Sequence, residues 1–216
     1  EIQVPGDISS AAFYMVAGAI LSDAQLKVLK VGINPTRDGI IEVLDKMNVD
    51  HDIYQSDNYS FEPVADIMVR SSNPQAMVID GEIIPRLIDE IPVISILAAQ
   101  AEGQTIIKDA AELKVKGSNR IRSTVNMLKA LGVEVEETDD GMIIEGRNTK
   151  PFDPDLDEVV IDSHGDHRLA MSAAIAALHC TKPVRILKTE FVNTSFPDFF
   201  DILDNIKEKA LVNAQN

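Results

Sequence analysis

Small and apolar residues run almost unbroken from Ile8 to Leu21 behind Pro5-Gly6-Asp7, a pattern that predicts a buried helix. Ahead of it, Glu1 to Val4 alternates like a short strand. Leu26 to Val31 reads as a strand, and the turn residues Asn34 to Gly39 follow. A helix then sets Ile40, Ile41, Leu44 and Met47 on one face, and two strands come after it, around Asp52 to Tyr54 and Ile67 to Arg70.

The same order of patterns returns. A strand is expected at Met77 to Asp80 or at its neighbour Glu82 to Ile84, and Asp89 opens a helix over Glu90 to Ala101. Gly103 ends that helix, and Thr105 to Lys108 forms the next strand. Asn119 starts a second helix running through Leu131 to a Gly132-Val133 corner. Val133 to Glu137 and Met142 to Glu145 pair across Asp140-Gly141, a two-residue turn signal. A third round begins at Val159 to Ile161 and passes through Asp166, a helix over His167 to His179 and a strand over Val184 to Leu187. It closes with Pro197-Asp198 and a helix over Phe199 to Lys207.

Asp7, Asp89 and Asp166 fall at matching points, 82 (89 − 7) and 77 (166 − 89) residues apart. Arg37 and Arg120 also match, each just before the second helix of its round. The expected fold is therefore α/β, or α+β: one domain over residues 1–216 made of three β-α-β-α-β-β units at about 1–75, 76–150 and 151–216. Pseudo-threefold packing of the units is expected. The third unit lacks its last two strands, which would leave a sheet edge unpaired, so the chain reads as part of a longer polypeptide.

Composition narrows the function. With 45% hydrophobic residues the chain can bury a core, and with 5% aromatics and no Trp it offers little for base stacking. A net charge of −15 repels nucleic-acid phosphates and anionic lipids, so neither is an expected partner. A small anionic ligand would need a local cluster of Lys and Arg. The one cysteine, Cys180, follows an Ala-rich stretch, reads as a buried structural thiol and suits a reducing compartment. The apolar run from Ala11 to Leu21 is too short to span a bilayer.

Each matching aspartate has two readings. Asp before a helix accepts bonds from free N–H groups, which explains it without any function. Helix N-termini also attract anions, and three of them gathered at one end would make a shared anion site. Lys114, Lys116, Arg120 and Arg122, around Gly117-Ser118-Asn119, supply basic groups, and so does Arg168 after Asp166-His167. A solvated basic patch is the plainer reading of the first four. Arg120 and Arg168 are the sharper candidates, because a guanidinium can clamp a carboxylate or phosphate with two parallel bonds. His164 and His167 lack a third ligand at a recognised spacing, so no metal site is expected. His51 and His179 carry no assigned role.

Ser163-His164-Gly165-Asp166-His167-Arg168-Leu169-Ala170-Met171 closely resembles the Asp-His-Arg-x-Ala-Met signature of the 5-enolpyruvylshikimate-3-phosphate synthase family. The segment from Leu113 to Arg120, the Ser195-Phe196-Pro197 triplet and the start at Pro5-Gly6-Asp7 are similar to further segments of that family, in order along the whole chain. The resemblance implies half of a two-domain enolpyruvyl transferase, the half that faces phosphoenolpyruvate. The missing N-terminal domain would form the other wall of the cleft, and a leading segment would complete the third sheet. It implies transfer of the enolpyruvyl group to the 5-hydroxyl of shikimate 3-phosphate, in the cytoplasm, with no metal or organic cofactor. By position it gives Asp89 the role of proton acceptor and acceptor-substrate ligand. It places Lys116 at the acceptor substrate and the protonation site, and Arg120 and Arg168 on phosphoenolpyruvate. Glu112, Gly117 and Thr194 stay outside this assigned set. Gly117 stands where the family usually has a glutamate, and Thr194 where many members have a lysine. Asn119 replaces an aspartate. A UDP-amino-sugar enolpyruvyl transferase and a non-catalytic relative that binds anions or a partner are the competing readings.

Overall fold

A computed structural model describes residues 4–56, 62–115 and 119–214. Three helices form its centre: α1 (Ile8–Ile20), α3 (Ile91–Gln100) and α5 (His167–Ala177). They pack against one another pairwise. Every residue of α3 is buried, as are all of α1 except Ser10. Helices apolar on all sides, as these two are, have no face to give to water and end up enclosed. The outer helices carry a narrower stripe. In α2 (Gly39–Lys46), Ile40, Val43 and Leu44 are buried, while Glu42 and Lys46 pair on the outside at 2.6 Å.

Three small sheets surround this centre. The first is β1 (Gln25–Gly32), β3 (Val64–Arg70) and β2 (His51–Ser56) in the order β1-β3-β2, antiparallel throughout. Its register between β1 and β3 slips between Val28 and Val31, where Lys30 takes a left-handed φ of 54°. The second sheet, β4-β5-β7-β6, uses β4 (Val78–Ile79), β5 (Gln104–Ile107), β7 (Met142–Glu145) and β6 (Val135–Glu137). Here β4 runs parallel to β5, and β7 antiparallel. The third sheet has two parallel strands, β8 (Val159–Asp162) and β9 (Val184–Leu187).

One connection logic links all three. A first strand, a central helix and a parallel second strand are followed in the second sheet by α4 (Arg120–Ala130) and an antiparallel hairpin. In the first sheet that opening strand is reduced to a parallel bridge from Gly6 to Val31, and residues 1–3 of the expected strand lie outside the described ones. In the third sheet α6 (Phe199–Ala214) follows β9, and among the described residues no strand pairs with the other edge of β9.

Several expectations need correction. Of the two strand positions offered near residue 80, only the first forms, because Glu82 to Ile84 belong to a 3-10 helix over Gly81–Arg86 that buries Ile83 and Ile84. The hairpin turn is displaced by one residue: Thr138 N donates to the Gly141 carbonyl at 3.1 Å, which puts Asp139 and Asp140, not Asp140 and Gly141, at its centre. Asp140 folds back onto the end of β5, its carboxylate accepting from Asp109 N and its carbonyl from Ala110 N. Cys180 is half-buried, not enclosed, and Phe152 forms a parallel bridge with it. The last helix runs past Lys207 to Ala214. Phe199 anchors it, fully buried and edge-on to Phe13, while its carbonyl accepts from the Tyr14 hydroxyl at 3.0 Å. Burial pushes the Tyr14 phenol up.

Candidate active site at the helix N-termini

Two of the three matching aspartates are helix caps. Asp7 Oδ2 accepts from Ser10 N at 3.0 Å at the start of α1, and Asp166 Oδ1 accepts from Arg168 N at 2.9 Å and Leu169 N at 3.4 Å at the start of α5. The turn before Asp166 uses two successive left-handed residues, His164 (φ 52°) and Gly165 (φ 80°), and glycine at the second keeps that reversal free of Cβ crowding. Asp89 differs. It precedes Glu90, which holds the N-cap position of α3, and its side chain caps nothing.

That carboxylate instead lies between two guanidinium groups. Arg120 Nη1 donates to Asp89 Oδ1 at 3.2 Å, and Arg168 Nη2 donates to Asp89 Oδ2 at 3.2 Å. Arg168 Nη1 also reaches the Asp89 carbonyl at 3.4 Å. Arg120 Nε donates to Asp166 Oδ2 at 2.7 Å. The cluster joins α3, α4 and α5. It is largely withdrawn from water, with side-chain exposures of 10% for Arg120, 7% for Asp166 and 16% for Arg168, against 33% for Asp89. Arg120 is the first residue of α4, held there by Asn119, whose side chain accepts from Arg122 N.

The neighbouring corner extends this rim. Arg37 Nη2 donates to Ser9 Oγ at 2.8 Å and approaches Asp7 at 3.5 Å. Glu90, 4% exposed, lies 3.9 Å from Arg168 Nη1. Among the described residues its Oε1 has no hydrogen-bond partner, and burial raises its carboxyl above the usual range, although Arg168 and Arg37 act the other way. Beside it, Asp7, Ser9, Ser10, His167, Arg168 and Ser195 line a small cavity of about 100 Å³. Burial, with the nearby Arg168 charge, lowers the His167 imidazole below its ordinary value.

Of the residues assigned from sequence, Asp89, Arg120 and Arg168 come together, although 79 positions separate Asp89 from Arg168. Lys116 and Gly117 lie outside the described residues. Glu112 is exposed in a 3-10 turn over Ala111–Lys114, and Arg122 faces Glu137 on β6. Thr194 ends another 3-10 turn, Thr189–Thr194, with its hydroxyl on the Phe191 carbonyl. Glu90, Ser9 and Ser195 received no site role from the sequence, although Ser9 and Ser195 lie in segments that resemble the family. Arg37 gave a signal through its match with Arg120, and the structure gives it the same kind of partner, an aspartate at the start of a central helix. Among the described residues no group of three His, Cys, Asp or Glu side chains could hold a metal ion.

This architecture defines a class first. It superposes on the enolpyruvyl transferase NikO from Streptomyces tendae with a TM-score of 0.66 over 93% of the chain, at 16% identity, a likeness of fold. An EPSP synthase from Acinetobacter baumannii superposes with a TM-score of 0.90 at 42% identity, covering 94% of this chain and 46% of that one. The family model "EPSP synthase (3-phosphoshikimate 1-carboxyvinyltransferase)" matches residues 1–203. A 3-phosphoshikimate 1-carboxyvinyltransferase of Geobacillus kaustophilus is 53% identical over 200 residues, which are 93% of this chain and 46% of that protein. Its Bacillus subtilis counterpart is 46% identical over 210 residues, 97% of this chain and 48% of that protein. The chain belongs to the EPSP synthase family, and it spans about half the length of the curated relatives it matches.

Proposed function

We propose that this chain forms one wall of the active-site cleft of a cytoplasmic 3-phosphoshikimate 1-carboxyvinyltransferase. The enzyme transfers the enolpyruvyl group of phosphoenolpyruvate to the 5-hydroxyl of shikimate 3-phosphate. In this reading residues 1–216 are one domain of three units. The length that the relatives have beyond it holds the second domain and a leading segment that pairs with the open edge of β9.

One observation carries the site assignment: a single carboxylate, Asp89, accepts from both Arg120 and Arg168. Two guanidiniums placed to grip one oxyanion can grip another, and their partial burial strengthens the attraction for a small dianion. Arg120 and Arg168 then hold phosphoenolpyruvate. Asp89 turns to the acceptor hydroxyl and takes its proton as the oxygen adds to the enol carbon, while Lys116 serves the protonation of the methylene. Phosphate leaves when the adduct gives up a proton and the double bond re-forms. No step calls for a metal or an organic cofactor.

The test is a titration of the 216-residue chain with phosphate, and with phosphoenolpyruvate plus shikimate 3-phosphate, followed by amide resonances. Saturable shifts confined to the starts of α4 and α5 are expected, with no turnover by the chain alone. Turnover is expected once the missing half is supplied. A flat response at Arg120 and Arg168 would instead favour the non-catalytic partner-binding reading.

A further inference from the structure

Capping α5 requires one oxygen of Asp166, yet both are used. Oδ1 accepts from the backbone N–H of Arg168 and Leu169, and Oδ2 accepts from Arg120 Nε at 2.7 Å, shorter than either capping bond. A serine or asparagine would cap as well as aspartate does. The second contact therefore asks for a carboxylate where the first does not. It is also a costly one, because both side chains are nearly enclosed, at 10% and 7% exposed, and such a pair must offset its own desolvation.

We propose that Asp166 is a positioning residue for the anion clamp. Through Oδ2 it fixes the plane of the Arg120 guanidinium by Nε, leaving the terminal nitrogens to a ligand. Through Oδ1 it fixes the backbone of Arg168 at the start of α5. Both halves of the clamp are thus set by one carboxylate that touches no substrate. This rests on Arg120 and Arg168 gripping an anion, and it adds the group that holds them at a common spacing.

Sulfate is the probe, since it does not titrate in the working pH range. Asp166→Asn and Asp166→Ser keep a capping acceptor but lose the anionic acceptor for Arg120 Nε. Each is expected to weaken sulfate binding to the 216-residue chain by about tenfold or more, the scale on which supporting hydrogen bonds act. Removing a negative charge beside an anion site would by itself tighten binding, so the sign separates positioning from simple electrostatics. The Arg120 Nε–H resonance should move toward the position of a free guanidinium in both variants, while helix content and chemical-shift dispersion stay native. Unchanged or tighter sulfate binding by the folded variants reduces Asp166 to a cap and overturns the proposal, leaving the clamp intact. Wild-type chain that binds no sulfate ends clamp and proposal together. Should neither variant fold, the wild-type chain decides: its Arg120 Nε–H must remain hydrogen-bonded at sulfate saturation, and its release would refute the assignment.

Discussion

Arg120 and Asp166, 46 residues apart in the chain, meet at 2.7 Å where the start of α4 touches the start of α5. Neither residue type at either position would suggest the other. Their contact exists because the central helices begin at one rim, and it leaves the remaining guanidinium surface shared with Asp89.

Asp89 and an incoming anion compete for the same donors. Asp89→Asn should therefore bind sulfate more tightly than wild type, by about fivefold or more, the lower range of site-to-site coupling. Calorimetric titration at fixed ionic strength measures it. Equal or weaker binding would mean that the carboxylate does not stand in the anion's place.

Glu90 ties stability to pH. Its folded-state carboxyl lies above the unfolded value of 4.5 because the side chain is buried. The protonated form is the one the fold prefers, so its contribution is complete below pH 4.5 and is lost as pH rises through the folded-state value. Arg168, 3.9 Å away, and the charges of Asp89 and Arg37 also act on the group. Glu90→Gln should melt with wild type at about pH 4 and above it at about pH 7, where burial of an ionisable carboxyl costs the wild type and spares the amide. Melting curves that keep one separation across this range would contradict the burial argument.

Much of this is legible in the sequence. The apolar runs of α1 and α3 announced buried helices, and the spacing of Asp7, Asp89 and Asp166 announced three similar beginnings. The resemblance marked Arg120 and Arg168. What stayed hidden was which aspartate does what. Asp7 and Asp166 cap and Asp89 does not, a distinction of one residue in where the helix starts, and helix boundaries are the least certain reading of a pattern. Glu90 was hidden for a different reason: charged residues are rarely enclosed, and only tertiary packing encloses this one.

The hairpin loop offers a sharper test of geometry. A Cβ at Gly141 would lie 1.9 Å from the Ile107 carbonyl oxygen, far inside contact distance, because the loop folds onto the end of β5. Gly141→Ala is expected to destabilise by about 2 kcal/mol or more, as overpacking against backbone does. Denaturant unfolding gives the number, and a neutral result would show that the loop can lift from β5 freely.

Phe199 holds α6 to the centre of the molecule, ringed by Phe13, Tyr14, Phe196 and Phe200. Phe199→Ala should cost about 3–5 kcal/mol, the range for a truncated core aromatic. Chemical denaturation checks it, and hydrogen exchange should show amides of α6 opening first. A loss below about 1 kcal/mol would mean that the helix is held by something else.

The two-stranded third sheet has a consequence for handling the protein. Among the described residues no strand pairs with the outer margin of β9, which is only four residues long, with Arg185 and Leu187 exposed on it. A bare strand margin is adhesive toward any extended peptide, so concentrated samples of this chain should tend to clump. A short synthetic strand added in excess would then act as a solubiliser, by covering the margin before a neighbouring molecule does.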